Sequence, residues 1–343
     1  MEAQNKIAIV LLPALLALFA LTSCANTDPW AAARKQFELG QSFENGAGVP
    51  KDLAKALDAY TRSAEQGYAP AQNRLGEMFY TGEKIPKDFA AAADWFRKAA
   101  AQADISAENY LGLMYQNGEG VPKSYEQAVA WFTKAAESGL VSAQYNLATL
   151  YQNGDGVLRD PAKAVEWFTK AAEQGNSDSF FNLGAMYQNG DGVTKDPDKA
   201  ADWYKRGAIE DPRASFNLGL MYESGEGVEK DLAKAAQWYQ KAAEQDNVSA
   251  QHNLAVLYAT GEGVEKDPAK AAEWFRKAAE QGDPSAQLYL ATMYSSGAGA
   301  DRDLVQAYKW ASLANDTRLV DSLKRRMTKK QLEEAEKLVG EGN

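Results

Sequence analysis

Apolar residues recur along most of the chain with the spacing of an amphipathic α-helix, and short glycine-containing turns interrupt them. In the segment AQHNLAVLYAT, Ala250, Leu254, Leu257 and Tyr258 stand at positions i, i+4, i+7 and i+8, which places them on one face of a helix. Gly261 follows directly and predicts the end of that helix, because glycine adopts the left-handed conformation of a C-cap without a steric penalty.

A second helix is predicted after each such turn. In the same stretch of sequence, Asp267 has the side chain of an N-cap and Pro268 suits the first helical position. Trp274, Phe275 and several nearby alanines then form one apolar face. The basic unit is therefore a pair of helices joined by a glycine-rich turn.

This helix pair is repeated eight times. The first glycine of the turn recurs every 35 or 36 residues, and in seven of the eight units a tryptophan follows it by 13 residues. A period this regular predicts a solenoid of stacked units. The turn glycines are Gly46, Gly82, Gly118, Gly154, Gly190, Gly225, Gly261 and Gly297, and the tryptophans are Trp95, Trp131, Trp167, Trp203, Trp238, Trp274 and Trp310.

A small residue follows a leucine of the first helix in seven units. Glycine inside a helix costs about 0.5–1 kcal/mol relative to alanine, so its recurrence predicts a close approach of the two helices at this point. We expect the repeated tryptophan of the second helix to fill the space between neighbouring units. The small residues are Gly76, Gly112, Ala148, Gly184, Gly219, Ala255 and Ala291.

The units follow the pattern A-x-x-x-L-G-x-x-Y-x-x-G-x-G-V-x-x-D-x-x-K-A-x-x-W-Y/F-x-K-A-A-x-Q-G, and residues Ala143 to Gly175 match it almost throughout. This pattern resembles the Sel-one-like repeat family, which is related to the tetratricopeptide repeats, over about residues 35–320. The resemblance implies an all-α fold, a right-handed α-solenoid of about eight 36-residue helix-turn-helix repeats. It also implies a role in holding other proteins together.

Three departures from the repeat pattern predict local differences in structure. Repeat two has Lys84 in place of the second turn glycine, and the junction at residues 207–214 is one residue short. Ala103 and Asp246 replace the glycine that follows other second helices. We expect the turn at Lys84 to differ from its equivalents and the twist to change at residues 207–214, whereas without the glycine the sequence defines the junctions at Ala103 and Asp246 less well.

The first residues form a segment that is separate from the repeats. Ile7 to Leu21 is the only long apolar run; it is shorter than the roughly 20 residues that span a bilayer and contains Pro13, so it fits a secretory signal peptide. It ends in Leu21-Thr22-Ser23-Cys24, which resembles a bacterial lipobox, whose cysteine is diacylated and becomes the new amino terminus. An ordinary signal peptide with an incidental cysteine is the alternative.

The domain prediction therefore has four parts. These are a lipoprotein signal peptide at residues 1–23, a lipidated tether at 24–31, the repeat solenoid at 32–320 and a C-terminal capping helix at 321–343. Within the last part, Thr328-x-x-Gln331 is a capping box that opens a helix. By resemblance to bacterial lipoproteins, Ala25 after the cysteine favours the outer membrane. We expect a cell-envelope lipoprotein that faces the periplasm.

Composition and charge exclude several classes of function. The 343 residues include 37 basic and 47 acidic side chains, for a net charge of −10, which argues against nucleic-acid binding through a globally basic surface. One cysteine and one histidine exclude an internal disulfide framework, a cysteine-rich zinc site and a histidine-rich metal site. We therefore expect no metal and no cofactor. One cluster of basic residues stands against this acidic background: Lys324, Arg325, Arg326, Lys329 and Lys330. We expect it either to contact anionic lipid or an acidic partner, or to be a solvated helix face.

Two adjacent rows of side chains on the first helices are the candidate binding site. The resemblance implies that first helices line the concave face, where amides could clamp an extended peptide and aromatic rings could supply apolar contacts. In the alternative interpretation, the amides bridge repeats and the rings pack between helices. The asparagine row is Asn146, Asn182, Asn217 and Asn253, and the aromatic row is Tyr145, Phe181, Phe216 and His252.

The sequence thus favours an envelope-anchored scaffold that binds a protein or peptide and contacts the membrane through acyl chains on Cys24. Catalysis is not expected, because His252 is the only imidazole and stands where other repeats have aromatic residues. Two alternatives stay open: an envelope enzyme of the β-lactamase or peptidoglycan-active type, and a surface-exposed host-interaction factor.

Overall fold

The computed structural model describes residues 28–83 and 85–341, and these form eighteen α-helices and no β-strand. The predicted signal peptide and residues 24–27 of the predicted tether, which include Cys24, lie outside the described residues. No helix within residues 28–83 and 85–341 combines the length and apolar character needed to cross a bilayer.

The helices alternate between the two members of each repeat. The first helices are α1 (Ala31–Asn45), α3 (Ala69–Thr81), α5 (Ile105–Asn117), α7 (Val141–Asn153), α9 (Ser177–Asn189), α11 (Pro212–Ser224), α13 (Val248–Thr260) and α15 (Pro284–Ser296). The second helices are α2 (Leu53–Glu65), α4 (Phe89–Ala100), α6 (Tyr125–Glu137), α8 (Pro161–Glu173), α10 (Pro197–Gly207), α12 (Leu232–Ala243), α14 (Pro268–Glu280) and α16 (Leu304–Leu313). Two further helices follow, α17 (Thr317–Lys324) and α18 (Lys329–Glu341).

These helices form two compact units, one ending at Ala143 and the other beginning at Gln144. Within each unit, consecutive helices pack on each other, as α3 does on α4 and α9 does on α10, and the last helix, α18, packs on α16. First helices of neighbouring repeats also touch, as α3 touches α5 and α9 touches α11. Because each element contacts only its near neighbours in sequence, the fold is an all-α solenoid, as predicted.

The caps of the helices follow the sequence prediction. Each first helix ends at a turn glycine with φ between 68° and 83°, the left-handed region that favours glycine. An Asp or Ser side chain accepts a backbone N–H bond at the start of all eight second helices: Asp52, Asp88, Ser124, Asp160, Asp196, Asp231, Asp267 and Asp303.

The second glycine of the turn has a different role, because it lies against the preceding repeat. A β-carbon added to Gly192 would lie within 3.0 Å of the backbone of Pro161, the first residue of α8. Gly120, Gly227, Gly263 and Gly299 meet the start of the preceding second helix in the same way. Gly48, in the first repeat, has open space around it. This glycine therefore permits backbone contact between repeats.

The core of seven repeats is an aromatic ring packed on the small residue of the first helix, and the last repeat has Ala311 at the ring position. At Gly76, Gly184 and Gly219 an added β-carbon would lie within 3.0 Å of the ring of Phe96, Tyr204 or Tyr239, which confirms the predicted close approach. The ring belongs to the residue after the tryptophan position, and it is fully buried: Tyr60, Phe96, Phe132, Phe168, Tyr204, Tyr239 and Phe275.

The tryptophans themselves are less buried than the sequence suggested. Trp95 and Trp238 are half-buried. Each packs against the apolar cluster formed by the first helix of its own repeat and the second helix of the preceding repeat. A cation covers the ring in all seven repeats that have this tryptophan; the ammonium of Lys98, for example, lies 3.8 Å from the Trp95 centroid. The tryptophan thus lies between units, as predicted, but the neighbouring residue forms the buried core.

Buried glutamines join consecutive repeats. Gln72 donates to the Ala64 carbonyl at 3.0 Å, and Gln251 donates to the Ala243 carbonyl at 3.2 Å, in each case eight residues earlier. Repeat three has the buried Glu108 at this position, and by register its carbonyl partner is Ala100. A charged carboxylate cannot donate a hydrogen bond. The pKa of Glu108 is raised above its usual value, chiefly because the carboxyl is buried. Lys134 acts in the opposite direction, and Asp104 adds to the increase.

The predicted departures have modest structural consequences. Ala103 and Asp246 adopt φ of 58° and 60°, so they reproduce the left-handed conformation of the glycine they replace. The backbone at these two junctions is therefore similar to that at the junctions that keep the glycine. At the short junction α10 ends at Gly207, the N-cap Asp211 of α11 is buried, and Ile209 is 73% exposed.

Both ends of the described chain differ from the internal repeats. α1 has the exposed Lys35 and the half-buried Ser42 at positions where the other first helices have a buried small residue and a buried Met or Leu. At the other end Leu323 and Ala335 are buried against the last repeat. The predicted capping box is confirmed, because the Gln331 N–H donates to Thr328 Oγ1 at 3.3 Å and the Thr328 N–H donates to Gln331 Oε1 at 3.0 Å.

We predict that Gly192→Ala destabilises the protein more than Gly48→Ala does. The two glycines have φ of 75° and 74°, so both variants bear the same left-handed strain of about 1–2 kcal/mol. Only Gly192→Ala also forces a β-carbon against Pro161, which should add about 1–3 kcal/mol. Equal losses in chemical denaturation would show that this glycine is not a packing requirement.

We predict that Glu108→Gln stabilises the protein at pH 7 by about 1 kcal/mol, because an amide can donate to the Ala100 carbonyl. A raised pKa in the folded state means that Glu108 favours folding most at low pH, and that this contribution is lost as pH rises through its folded-state pKa. The gain in the variant should therefore shrink in acid. Gln251→Glu is the matched control and should show the opposite sign in the same denaturation series.

Candidate functional site

The two predicted rows lie side by side on the first helices of the second unit. Each aromatic-row residue directly precedes its asparagine, and the pairs occupy α7, α9, α11 and α13. All eight side chains are half-buried. The structure therefore brings the predicted residues onto one face, one pair per repeat.

The aromatic row packs against the buried ring of its own repeat. Its members lie 23 residues before that ring in the sequence, and the centroid distances fall between 5.6 and 6.0 Å. These separations are typical of favourable aromatic pairs. The pairs are Tyr145–Phe168, Phe181–Tyr204, Phe216–Tyr239 and His252–Phe275.

The asparagine row contacts the preceding repeat or its own helix. Asn217 hydrogen-bonds Tyr204, and Asn253 hydrogen-bonds Tyr239. Asn182 donates to the Asp178 carbonyl at 2.9 Å, one helical turn earlier. Each amide offers two donors and one acceptor oxygen, so one such bond leaves capacity for a ligand.

The buried tyrosines also bond a side chain of their own first helix. The Tyr204 hydroxyl donates to Gln188 Oε1 at 3.0 Å, and the Tyr239 hydroxyl donates to Glu223 Oε2. Burial raises the pKa of Tyr204 to about 12, and Asn217 lowers it slightly. Burial and then Glu223 raise the pKa of Tyr239. Both hydroxyls are thus neutral donors at physiological pH, and each joins two first helices.

One cation covers part of the aromatic row. The guanidinium of Arg213 lies 4.5 Å from the Phe181 centroid and is held by Asp178 at 2.5 Å and by Asp211 at 2.7 Å. Phe181 is consequently less available to a ligand than Phe216.

His252 has the surroundings of a packed ring. It lies edge-on to Phe275 and Tyr289, with centroids 5.6 and 5.9 Å away. Its Nδ1 atom is buried and lies 3.4 Å from Asp283 Oδ1, the atom that caps α15. These contacts orient the imidazole ring. Within residues 28–83 and 85–341, no group of three or more His, Cys, Asp or Glu side chains is placed to hold a metal ion.

A pocket of about 420 Å³ opens between α11 and α13, next to the asparagine row. Asn253 forms one wall, Leu220 and Met221 form an apolar side, and Glu223 and Glu226 provide carboxylates. A pocket of about 170 Å³ occupies the same register in the first unit, between α3 and α5. The sequence analysis missed Leu220 and Glu223; the available signal was that Glu223 is acidic where several repeats have glutamine.

Comparison with known families identifies the repeat. The model of the Sel1 repeat matches eight segments of the chain, at residues 36–68, 69–104, 105–140, 141–176, 178–211, 212–247, 248–283 and 284–316. The chain belongs to the Sel1 repeat family. Proteins of this family are generally non-enzymatic scaffolds for protein interaction.

Two solved structures are similar over most of their length. A Sel1 repeat protein from Oxalobacter formigenes is 35% identical, with a TM-score of 0.69 and 86% of each chain covered. A protective antigen of uropathogenic Escherichia coli with the SLR fold is 32% identical, with a TM-score of 0.59 and coverage of 90% of this chain and 91% of that one. Among curated proteins, none is similar enough to count as a match.

Proposed function

We propose that this Sel1 repeat protein is an envelope-anchored scaffold that binds a protein or peptide on the first-helix face of its second unit. The observation that carries the proposal is the distribution of charge. The five first helices α7, α9, α11, α13 and α15 contain three charged residues, whereas the five second helices α8, α10, α12, α14 and α16 contain seventeen. Burial explains part of this difference, because first helices such as α13 have fewer exposed residues than second helices such as α14. Among the exposed residues of these five first helices, however, only Arg213 is charged, and depletion of charge is typical of the core of an interface.

The composition of this face suits an extended peptide. Half-buried amides recur once per repeat, and a peptide backbone presents N–H and C=O groups at regular intervals. The Asn217 and Asn253 amides are already oriented by buried tyrosine hydroxyls, which reduces the entropy lost when a ligand binds. Phe216 and Leu220 supply adjacent apolar surface.

The envelope anchor is the second part of the proposal. It rests on the apolar run Ile7 to Leu21 followed by Leu21-Thr22-Ser23-Cys24. Two or more acyl chains would hold the protein firmly at a membrane, since each buried CH₂ contributes about 0.8 kcal/mol.

The similarity to a protective antigen supports a second candidate, in which the anchored solenoid is exposed on the cell surface as a host-interaction factor. The two candidates differ in the side of the membrane that the repeats face.

We predict that a photo-crosslinking amino acid at Leu220 captures a distinct partner in cells. Leu220 is 37% exposed and lines the pocket on the first-helix face. The same reagent at Asp202, an exposed position of the second helix α10, is the matched control and should not capture that partner. Asn182→Ala should weaken the capture several-fold with little loss of thermal stability, because Asn182 bonds only its own helix among the contacts described above.

Capture of the same protein at both positions would contradict the assignment of the binding face. A large stability loss in Asn182→Ala would favour a structural role for the asparagine row.

We predict that radiolabelled palmitate enters the protein and is absent from Cys24→Ser. Equal labelling of both proteins would overturn the lipobox hypothesis. Protease added to intact cells then tests orientation: protection of the repeats supports a periplasm-facing scaffold, whereas their digestion supports the surface-exposed candidate. Permeabilised cells provide the control for protease susceptibility.

A further inference from the structure

We propose that the pocket between α11 and α13 binds the guanidinium of an arginine side chain presented by the protein partner. This inference rests on the proposed scaffold function and specifies the chemistry of the partner. Two places in the chain, one in each unit, are equivalent in the repeat but differ in one side chain.

The first place is filled by the chain itself. Glu44 is 5% exposed; it accepts the Tyr60 hydroxyl at 2.5 Å and forms an ion pair with Arg74 of the next repeat. The Arg74 Nε also donates to Glu44 Oε2 at 3.2 Å, and its Nη1 donates to Glu77 at 2.8 Å. A carboxylate, a buried tyrosine and an arginine thus form one connected group between first helices.

The second place has the same carboxylate and tyrosine without the arginine. Glu223 precedes Tyr239 by 16 residues, as Glu44 precedes Tyr60, and it accepts the Tyr239 hydroxyl. The residue 14 positions after the tyrosine is Arg74 in the first case and Asn253 in the second. The Asn253 side chain is much shorter than arginine.

The space that the shorter side chain leaves is the pocket of about 420 Å³. Glu223 and Asn253 both line it, so an incoming guanidinium would meet the carboxylate that corresponds to Glu44. Glu226 adds a second carboxylate; it is paired at 2.9 Å with the exposed Lys195, and surface pairs of this kind contribute little and exchange readily. Leu220 and Met221 would contact the aliphatic part of the arginine.

Arginine fits this site better than lysine for a geometric reason. A guanidinium has five donors in a planar fork and bonds a carboxylate through two parallel hydrogen bonds, whereas an ammonium acts as a point charge. The Arg74 group shows that this repeat register accommodates the planar fork.

The first test is titration of the purified full chain with N-acetyl-arginine-N-methylamide, followed by NMR of ¹³C-methyl-labelled methionines. We expect a saturable shift of the Met221 methyl, about tenfold weaker binding to Glu223→Gln, and no saturable shift with the isosteric, uncharged citrulline analogue. No saturable shift with the arginine compound, or equal affinity for the lysine or citrulline analogue, would overturn the proposal.

The second test restores the arginine within the chain. Asn253→Arg should recreate the group formed by Glu44, Tyr60 and Arg74, so it should raise Tm and reduce binding of the arginine compound at least about tenfold. Asn182→Arg is the matched control, because by register it meets Gln152 rather than a carboxylate and should not raise Tm. If Asn253→Arg has the same Tm and the same affinity for the arginine compound as the wild type, the inference is refuted.

The two proposals fail in distinguishable ways. If the partner crosslinked at Leu220 binds Asn253→Arg as tightly as the wild type, the scaffold proposal stands and the arginine pocket does not. If the arginine compound binds as expected but no partner is captured at Leu220, the pocket stands and the scaffold proposal fails.

Discussion

In seven of the eight repeats, the contact between a buried ring on the second helix and a small residue on the first helix sets the geometry of the repeat. With glycine at Gly184, the ring of Tyr204 lies directly on the helix backbone, and there is no room for a β-carbon. The remaining features depend on this close approach. It brings the aromatic row within 6.0 Å of the same ring, and it lets a tyrosine hydroxyl at that position reach side chains of two first helices. The buried ring residue therefore belongs to the core of the repeat and also contacts the candidate binding face.

A substitution at the ring position consequently changes the surface as well as the core. Where the ring residue is Phe275, there is no hydroxyl at this position. The next first helix presents Tyr289, which stacks on Phe275 with the ring centroids 4.8 Å apart. Tyr239 brings a hydroxyl, and the next first helix presents Asn253, which bonds it. Phe132 and Phe168 also lack a hydroxyl, but the next first helices present Asn146 and Asn182, so the ring residue alone does not set the polarity of the adjacent face.

Most of the fold was accessible from the sequence because it depends on local signals that recur. Asp267 and its equivalents cap helices through a bond to a residue three positions away, and turn glycines such as Gly261 need only a left-handed φ. Features that depend on contacts between residues far apart in the sequence could be predicted less well. The sequence gives Trp274 and Phe275 as neighbours on one apolar face, and a shift of one residue, about 100° around the helix, decides which of them is buried. The pocket beside Asn253 depends on Glu223 in the preceding repeat, a pairing that only the stacking of helices reveals.

The half-buried tryptophans have a consequence for spectroscopy. In six repeats a Lys or Arg cation lies 3.8–5.5 Å from the ring centroid, so these indoles share nearly the same environment. Their fluorescence would report an average over the repeats, and local opening of one repeat would alter only a small part of the emission. Progressive unfolding along the chain would then give a broad optical transition, even if each repeat opened sharply. Replacing every other tryptophan of the chain, Trp30 and Trp310 included, would convert the one remaining indole into a reporter for a single repeat.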